Sequence, residues 1–138
     1  MHYSYEIDIS PSDTVNNPLE LHVKLSAGII FSVDFLFEVG DGFSSCVTLW
    51  DNAVQVLPSN QEGWYSADGL LIVAPVWYKI DERGNDLYVV AWNRGGVNDH
   101  TVNMTISVQG VDEPQVIDLI NAQNGIFERL LNVLKEIS

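Results

Sequence analysis

The sequence predicts an all-β domain, an antiparallel β-sandwich of jelly-roll type with about eight strands, followed by a C-terminal α-helix. Three observations carry this expectation. Apolar and polar residues alternate over most of the first 110 residues, the period of a half-buried strand. Turn signals recur at SPSD, SAG, GDG, PSNQEG, DERGND and NRGGVND and cut the chain into short strands. From Asp112 the period changes to that of a helix. A closed small barrel is the rival packing for this strand count. The domains expected are residues 1–111 for the sandwich and 112–138 for an amphipathic helix.

In YSYEIDI, Tyr3, Tyr5, Ile7 and Ile9 alternate with Ser4, Glu6 and Asp8. LELHVKL repeats the pattern, with Leu19, Leu21, Val23 and Leu25 inward and Glu20, His22 and Lys24 outward. After SAG, the run IIFSVDFLFEV puts Ile29, Phe31, Val33, Phe35, Phe37 and Val39 on one side, and these two strands are expected to pair as a hairpin. SCVTLWD, AVQVL, LLIVAPVWYKI and LYVVAWN are apolar on both faces, which suits central strands or strands covered by another element or subunit. Pro75, inside the third of these, calls for an edge position or a bulge. TVNMTISVQ alternates again, with Val102, Met104, Ile106 and Val108 inward.

The C-terminal stretch opens with acids and a proline. Ile120, Phe127 and Leu134 then recur at intervals of seven, with Val116, Leu130 and Ile137 filling complementary positions, Gln123 breaking the stripe, and Asn124–Gly125 offering a division into two pieces. Leu119, Ile126, Leu131 and Val133 widen the apolar surface beyond what one sandwich edge uses. Such a helix either lies on its own sandwich or meets copies of itself. The six residues Val116, Ile120, Phe127, Leu130, Leu134 and Ile137 are the candidate contact residues.

At 138 residues the chain is the size of one domain and can bury a core without metal or disulfide staples. Its single cysteine, Cys46, cannot form an internal disulfide and reads as a small core residue. MHYSYEID lacks the features of a secretory signal, and no apolar run reaches the ~18 residues of a membrane span, so a chain that is cytosolic where it is made is expected. With 19 acidic against 6 basic residues and a net charge of −13, direct contact with nucleic acid or anionic membrane is not expected, since both require a basic footprint.

No stretch spells out a reaction. His2, His22 and His100 are far apart and form no spaced ligand pair, so neither catalytic nor metal residues nor a cofactor are assigned. GDG, SADG and GVNDH are oxygen-rich loops, but none has EF-hand spacing, and Asp, Asn and Gly are expected wherever strands reverse. In WDNAVQVLPSNQEGWYSADG, Trp50 and Trp64 flank a long connection. Both can anchor it to the sandwich edge. The alternative is a ligand platform, in which exposed Trp64, Tyr65 or Trp77 stacks on a sugar.

The landmarks LSAGIIF, LPSN...GW and AWN followed by DHTV, spread over residues 19–109, make the chain resemble small β-sandwich virion proteins of bacteriophages. The resemblance implies a non-enzymatic virion component such as a capsid decoration (cement) protein, a spike or fibre base, or a tail accessory part. It would assemble with its own copies, as a trimer for example, and with other virion proteins such as the major capsid protein. The alternatives are a carbohydrate-binding module or receptor-binding head, and, further off, a cupin-type enzyme requiring clustered histidines.

Overall fold

The computed structural model describes residues 1–60, 62–81 and 85–110. The expected helix, the boundary at residue 111 and the six contact residues from Val116 to Ile137 lie outside the described residues.

Eight strands run through the described residues: β1 His2–Ile9, β2 Leu19–Val23, β3 Gly28–Phe37, β4 Ser45–Asp51, β5 Val54–Leu57, β6 Leu71–Ile80, β7 Leu87–Asn93 and β8 His100–Gly110. They form two antiparallel four-stranded sheets, ordered β1-β8-β3-β6 and β2-β7-β4-β5. β1 to β4 change sheet at every step, and so do β5 to β8. That is the double Greek-key winding of a jelly roll, and it sets aside the closed barrel, because each sheet keeps two edges.

The alternation drives this arrangement. Ile7, Ile9, Val33, Phe35, Phe37, Val102, Met104 and Ile106 from the first sheet, with Val47, Leu49, Val89 and Ala91 from the second, are all but fully buried between the layers. Each strand therefore presents one residue in two to a common core, and stacked sheets pack roughly 10 Å apart.

The expected hairpin between the second and third strands does not form. β2 pairs with β7 in one sheet, whereas β3 pairs with β6 and β8 in the other. Residues 24–27 cross between layers: four extended residues reach about 13 Å, enough for the ~10 Å step. Gly28 then enters β3 so close to β8 that a Cβ there would fall 2.5 Å from the Gln109 carbonyl oxygen.

The phase expected for β3 is also corrected. A register shift between Ile30 and Ser32 turns Ile30 inward and leaves Phe31 exposed, after which Val33, Phe35 and Phe37 point to the core as expected. Val39 lies beyond the strand and is exposed. One extra residue in a strand resets the inward phase. Pro75 meets both of its requirements, since it lies opposite Ser32 at that irregularity and β6 is an edge strand. Of the strands apolar on both faces, β4 and β7 are central, whereas β5 and β6 are edges.

At the end of the sandwich where β4 turns into β5, a polar latch ties the sheets together. The Tyr78 hydroxyl of β6 donates to Asp51 Oδ2 of β4, which also accepts from Asn85 Nδ2 at 2.9 Å. Burial first, then the hydrogen bond and negative charge of Asp51, push the Tyr78 phenol up to about 12. A raised phenol pKa means that the neutral form is favoured by folding, so this contribution to stability is complete below the ordinary value of 10.0 and disappears between there and about pH 12. In a spectrophotometric titration Tyr78 is expected to supply a late tyrosinate step near pH 12, which Tyr78→Phe removes; an unchanged titration of Tyr78→Phe would contradict the latch.

Candidate functional site

Four loops gather at the other end of the sandwich: residues 10–18, 38–44, 58–70 and 94–99. They are knitted by their backbones. Asn93 N donates to Asp13 O at 2.8 Å, Arg94 N to Ser44 O at 2.7 Å, and Gly69 N to Glu38 O at 3.0 Å. Side chains complete the set. Asp68 Oδ1 accepts from Gly40 N at 2.8 Å, and Asp41 Oδ1 accepts from Ser45 N at 2.9 Å. Glu38 Oε1 lies 2.9 Å from His100 Nδ1 and accepts from Thr101 N. Asn93, buried at the end of β7, accepts from Gly96 N at 2.7 Å and donates to Asn98 O.

Glu38, Asp41 and Asp68 thus each engage a carboxylate oxygen with a neighbouring partner, and among the polar residues exposed at this end, Asn16, Arg94, Asn98 and Asp99 included, stand several apolar ones. Val39 is 89% exposed, Val97 86%, and Phe43 and Leu70 more than half. Phe43 also holds a left-handed backbone, φ 63°, between Gly42 and Ser44, a conformation that costs a non-glycine residue of order 1–3 kcal/mol. An aromatic held in strain and turned to solvent serves no folding purpose on its own. The sequence reading missed this quartet. Its signal was apolar residues set among turn formers, in VGDGF, DGL and GGVND, although the alternation of IIFSVDFLFEV had placed Val39 with the inward residues.

The candidate ligand trio is not one surface. Tyr65 turns inward, its ring 5.3 Å from that of Phe35, and burial raises its phenol pKa. Trp77 stands on β6 in the opposite sheet and is 73% exposed. Trp64 instead meets Trp92 edge-on at 5.9 Å. Together with Trp50, Val15, Thr48 and Gln55 they line a shallow depression of about 250 Å³ on the outer face of the second sheet. Trp50 Nε1 donates to Thr48 Oγ1 at 2.9 Å, and Gln55 Nε2 holds the long connection through Pro58 O and Gly63 O. The bridge between Val47 and Tyr65 fixes the same connection, so its anchoring is visible in the backbone as well.

Among the described residues no three His, Cys, Asp or Glu side chains converge as a metal-binding group. His22 is solvent-facing near Asp86, His2 lies 2.8 Å from Ser107 Oγ, and His100 is engaged by Glu38. In the GDG loop, Asp41 is the one fully buried carboxylate of the described residues. Cys46 is buried, and that burial pushes its thiol up to about 11, which makes it a poor nucleophile at neutral pH.

No family model and no curated protein sequence matches the chain. Among solved structures it is similar to a chain of the capsid asymmetric unit of cyanophage Pam1, at 13% identity over 76% of this chain and 79% of that one, with a TM-score of 0.42. It is also similar to a chain of infectious bursal disease virus strain Gx, at 13% identity over 82% of this chain and 33% of the other, TM-score 0.36. A third is the coat protein of tobacco streak virus, at 11% identity over 75% and 94%, TM-score 0.31. The jelly roll itself is defined by strand order and pairing.

The loop knot depends on Asn93. Replacing it by alanine strands Gly96 N and Asn98 O, and a loss of about 1–3 kcal/mol is expected, read as a lower midpoint in urea unfolding together with faster amide exchange at Gly96. A variant as stable as the parent would show that the knot is held by its backbone bonds alone.

Proposed function

We propose that this chain is a non-enzymatic structural protein of a bacteriophage particle, a capsid decoration subunit or a spike or fibre-base component, that works by contact with its own copies and with other virion proteins. The observation carrying this reading is the loop end, where Val39, Phe43, Leu70 and Val97 are exposed on a hydrogen-bonded platform in which Glu38, Asp41 and Asp68 each accept from a neighbouring group. Loop tips of a highly acidic protein are ordinarily polar. Burying a valine, leucine or phenylalanine side chain contributes roughly 1.5–3 kcal/mol, so a surface of four supplies several kcal/mol per contact, multiplied by the symmetry of a closed assembly. A rigid end also loses little conformational entropy on docking. The virion assignment takes its direction from the LPSN...GW and AWN...DHTV landmarks.

Phe43→Asn tests the reading sharply. Asparagine tolerates the left-handed backbone, so the folded chain is expected to gain up to about 1 kcal/mol, while self-association followed by light scattering falls. In Val39→Asp with Val97→Asp, association is expected to fall by about tenfold or more with little change in unfolding midpoint. Loss of fold stability in Phe43→Asn, or undiminished association in the double variant, would remove the loop end from this role.

A second reading is favoured by one specific feature, the half-exposed Trp64 set edge-on to Trp92 beside Thr48 and Gln55. It is a saccharide platform on the second sheet, suited to a receptor-binding head. Titration with a panel of neutral and acidic glycans is then expected to quench tryptophan fluorescence in the parent but not in Trp64→Ala. A flat response across the panel eliminates it.

A further inference from the structure

The outer face of the first sheet is divided lengthwise. Its β1 and β8 half is polar: Ser4, Glu6 and Asp8 stand beside Thr101, Asn103 and Thr105. Its β3 and β6 half is mainly apolar, with Lys79, paired to Asp81, at the end beyond Trp77. Leu36 lies opposite Leu71, Asp34 opposite Val73 and Ser32 opposite Pro75, and Phe31, Leu36, Leu71, Val73 and Trp77 are all exposed. Asp34 interrupts the surface but takes a hydrogen bond from Ser32 Oγ at 3.0 Å. This half borders the free edge of β6, where an uncovered apolar ribbon invites edge-to-edge aggregation.

We propose that residues 112–138 of the same chain cover this half-face, seated through Val116, Ile120 and Phe127. The exit point is right. β8 ends at Gly110, in register with Gly28, which is in turn in register with Ile80 of β6, so the chain leaves at the Trp77 end of the ribbon. From there it must move two strands sideways and one layer outward, roughly 10 Å each way, or about 14 Å in all. Residues 111–115 extend to about 16 Å. The ribbon from Leu71 to Trp77 is about 20 Å long at strand rise, and Val116–Phe127 as a helix is about 18 Å long. The helix would run antiparallel to β6, with its first turns over Trp77 and Phe31 and Phe127 near Leu36 and Leu71. The charged half-face needs no such cover, and the proline and acids at 112–114 remain in solvent on the way across.

This contact is distinct from the loop end and stands whether or not that end binds other proteins. It is tested in the full chain by placing one cysteine on the ribbon, Val73→Cys, and one on the segment, Phe127→Cys, and bridging them with a short bifunctional maleimide at low protein concentration. A link within one chain is expected, seen as the mass of one chain plus one linker with faster migration on denaturing gels, and none is expected when Glu6→Cys on the polar half replaces Val73→Cys. A link of equal yield from Glu6→Cys, links only between chains, or no link at all would overturn the proposal. Hydrogen exchange supplies the second measurement. Leu71→Glu with Val73→Glu is expected to speed exchange over residues 116–127 by about tenfold or more while β7 amides stay protected. Equal exchange over 116–127 in parent and variant would also overturn it.

Discussion

A strand can give only every second side chain to the layer beneath it, and the structure follows from that constraint. The chain fills the space between its two sheets with one phase of each strand, from Ile7 and Ile9 on β1 to Met104 and Ile106 on β8. Apolar residues in the opposite phase have no place in that core. In β4 and β7 they fall on the outer face of the second sheet, where Trp50, Trp92 and Val90 shelter under the long connection and Val15. In β6 they fall on the outer face of the first sheet, where Leu71, Val73 and Trp77 are exposed.

This surplus separates what folds the protein from what the protein does. The core, the Asp51–Tyr78–Asn85 latch and the loop knot suffice to define the sandwich. Val39, Phe43, Leu70 and Val97 add nothing to it, and Phe43 opposes it through its backbone. Groups that oppose or ignore folding are where function is to be sought. Here they are apolar and exposed, a chemistry of contact.

Much of the fold was legible in the sequence, for a physical reason: alternation reports directly which side of a strand is buried. It located the strands and the inward residues of β1 and β8, and Pro75 announced an edge or a bulge. Adjacency in space was not legible. The short SAG link looks like a hairpin turn, yet residues 24–27 change layers, because pairing partners are set by the closing of the whole core rather than by the turn alone. The bulge at Phe31 was hidden too, since IIF reads equally well in either phase until β8 fixes the register. The site was less legible still. Trp64, Tyr65 and Trp77 share a residue class and lie close in sequence, but one belongs to an aromatic depression, one to the core and one to the opposite sheet. The loop-end quartet was present in the sequence as misplaced hydrophobes, recognisable only once four separate loops are known to meet.

On this reading the exposed apolar residues at the loop end are contact surface. Carbene footprinting of the full chain, in its associated form and after dilution to protomers, measures this most directly. Heavy labelling of Val39, Phe43, Leu70 and Val97 is expected in dilute protomers and strong protection on association, with the Ser4, Glu6 and Asp8 face labelled alike in both. Equal labelling of the quartet in the two forms, or a chain that stays monomeric at every concentration and alongside purified particles, would contradict it.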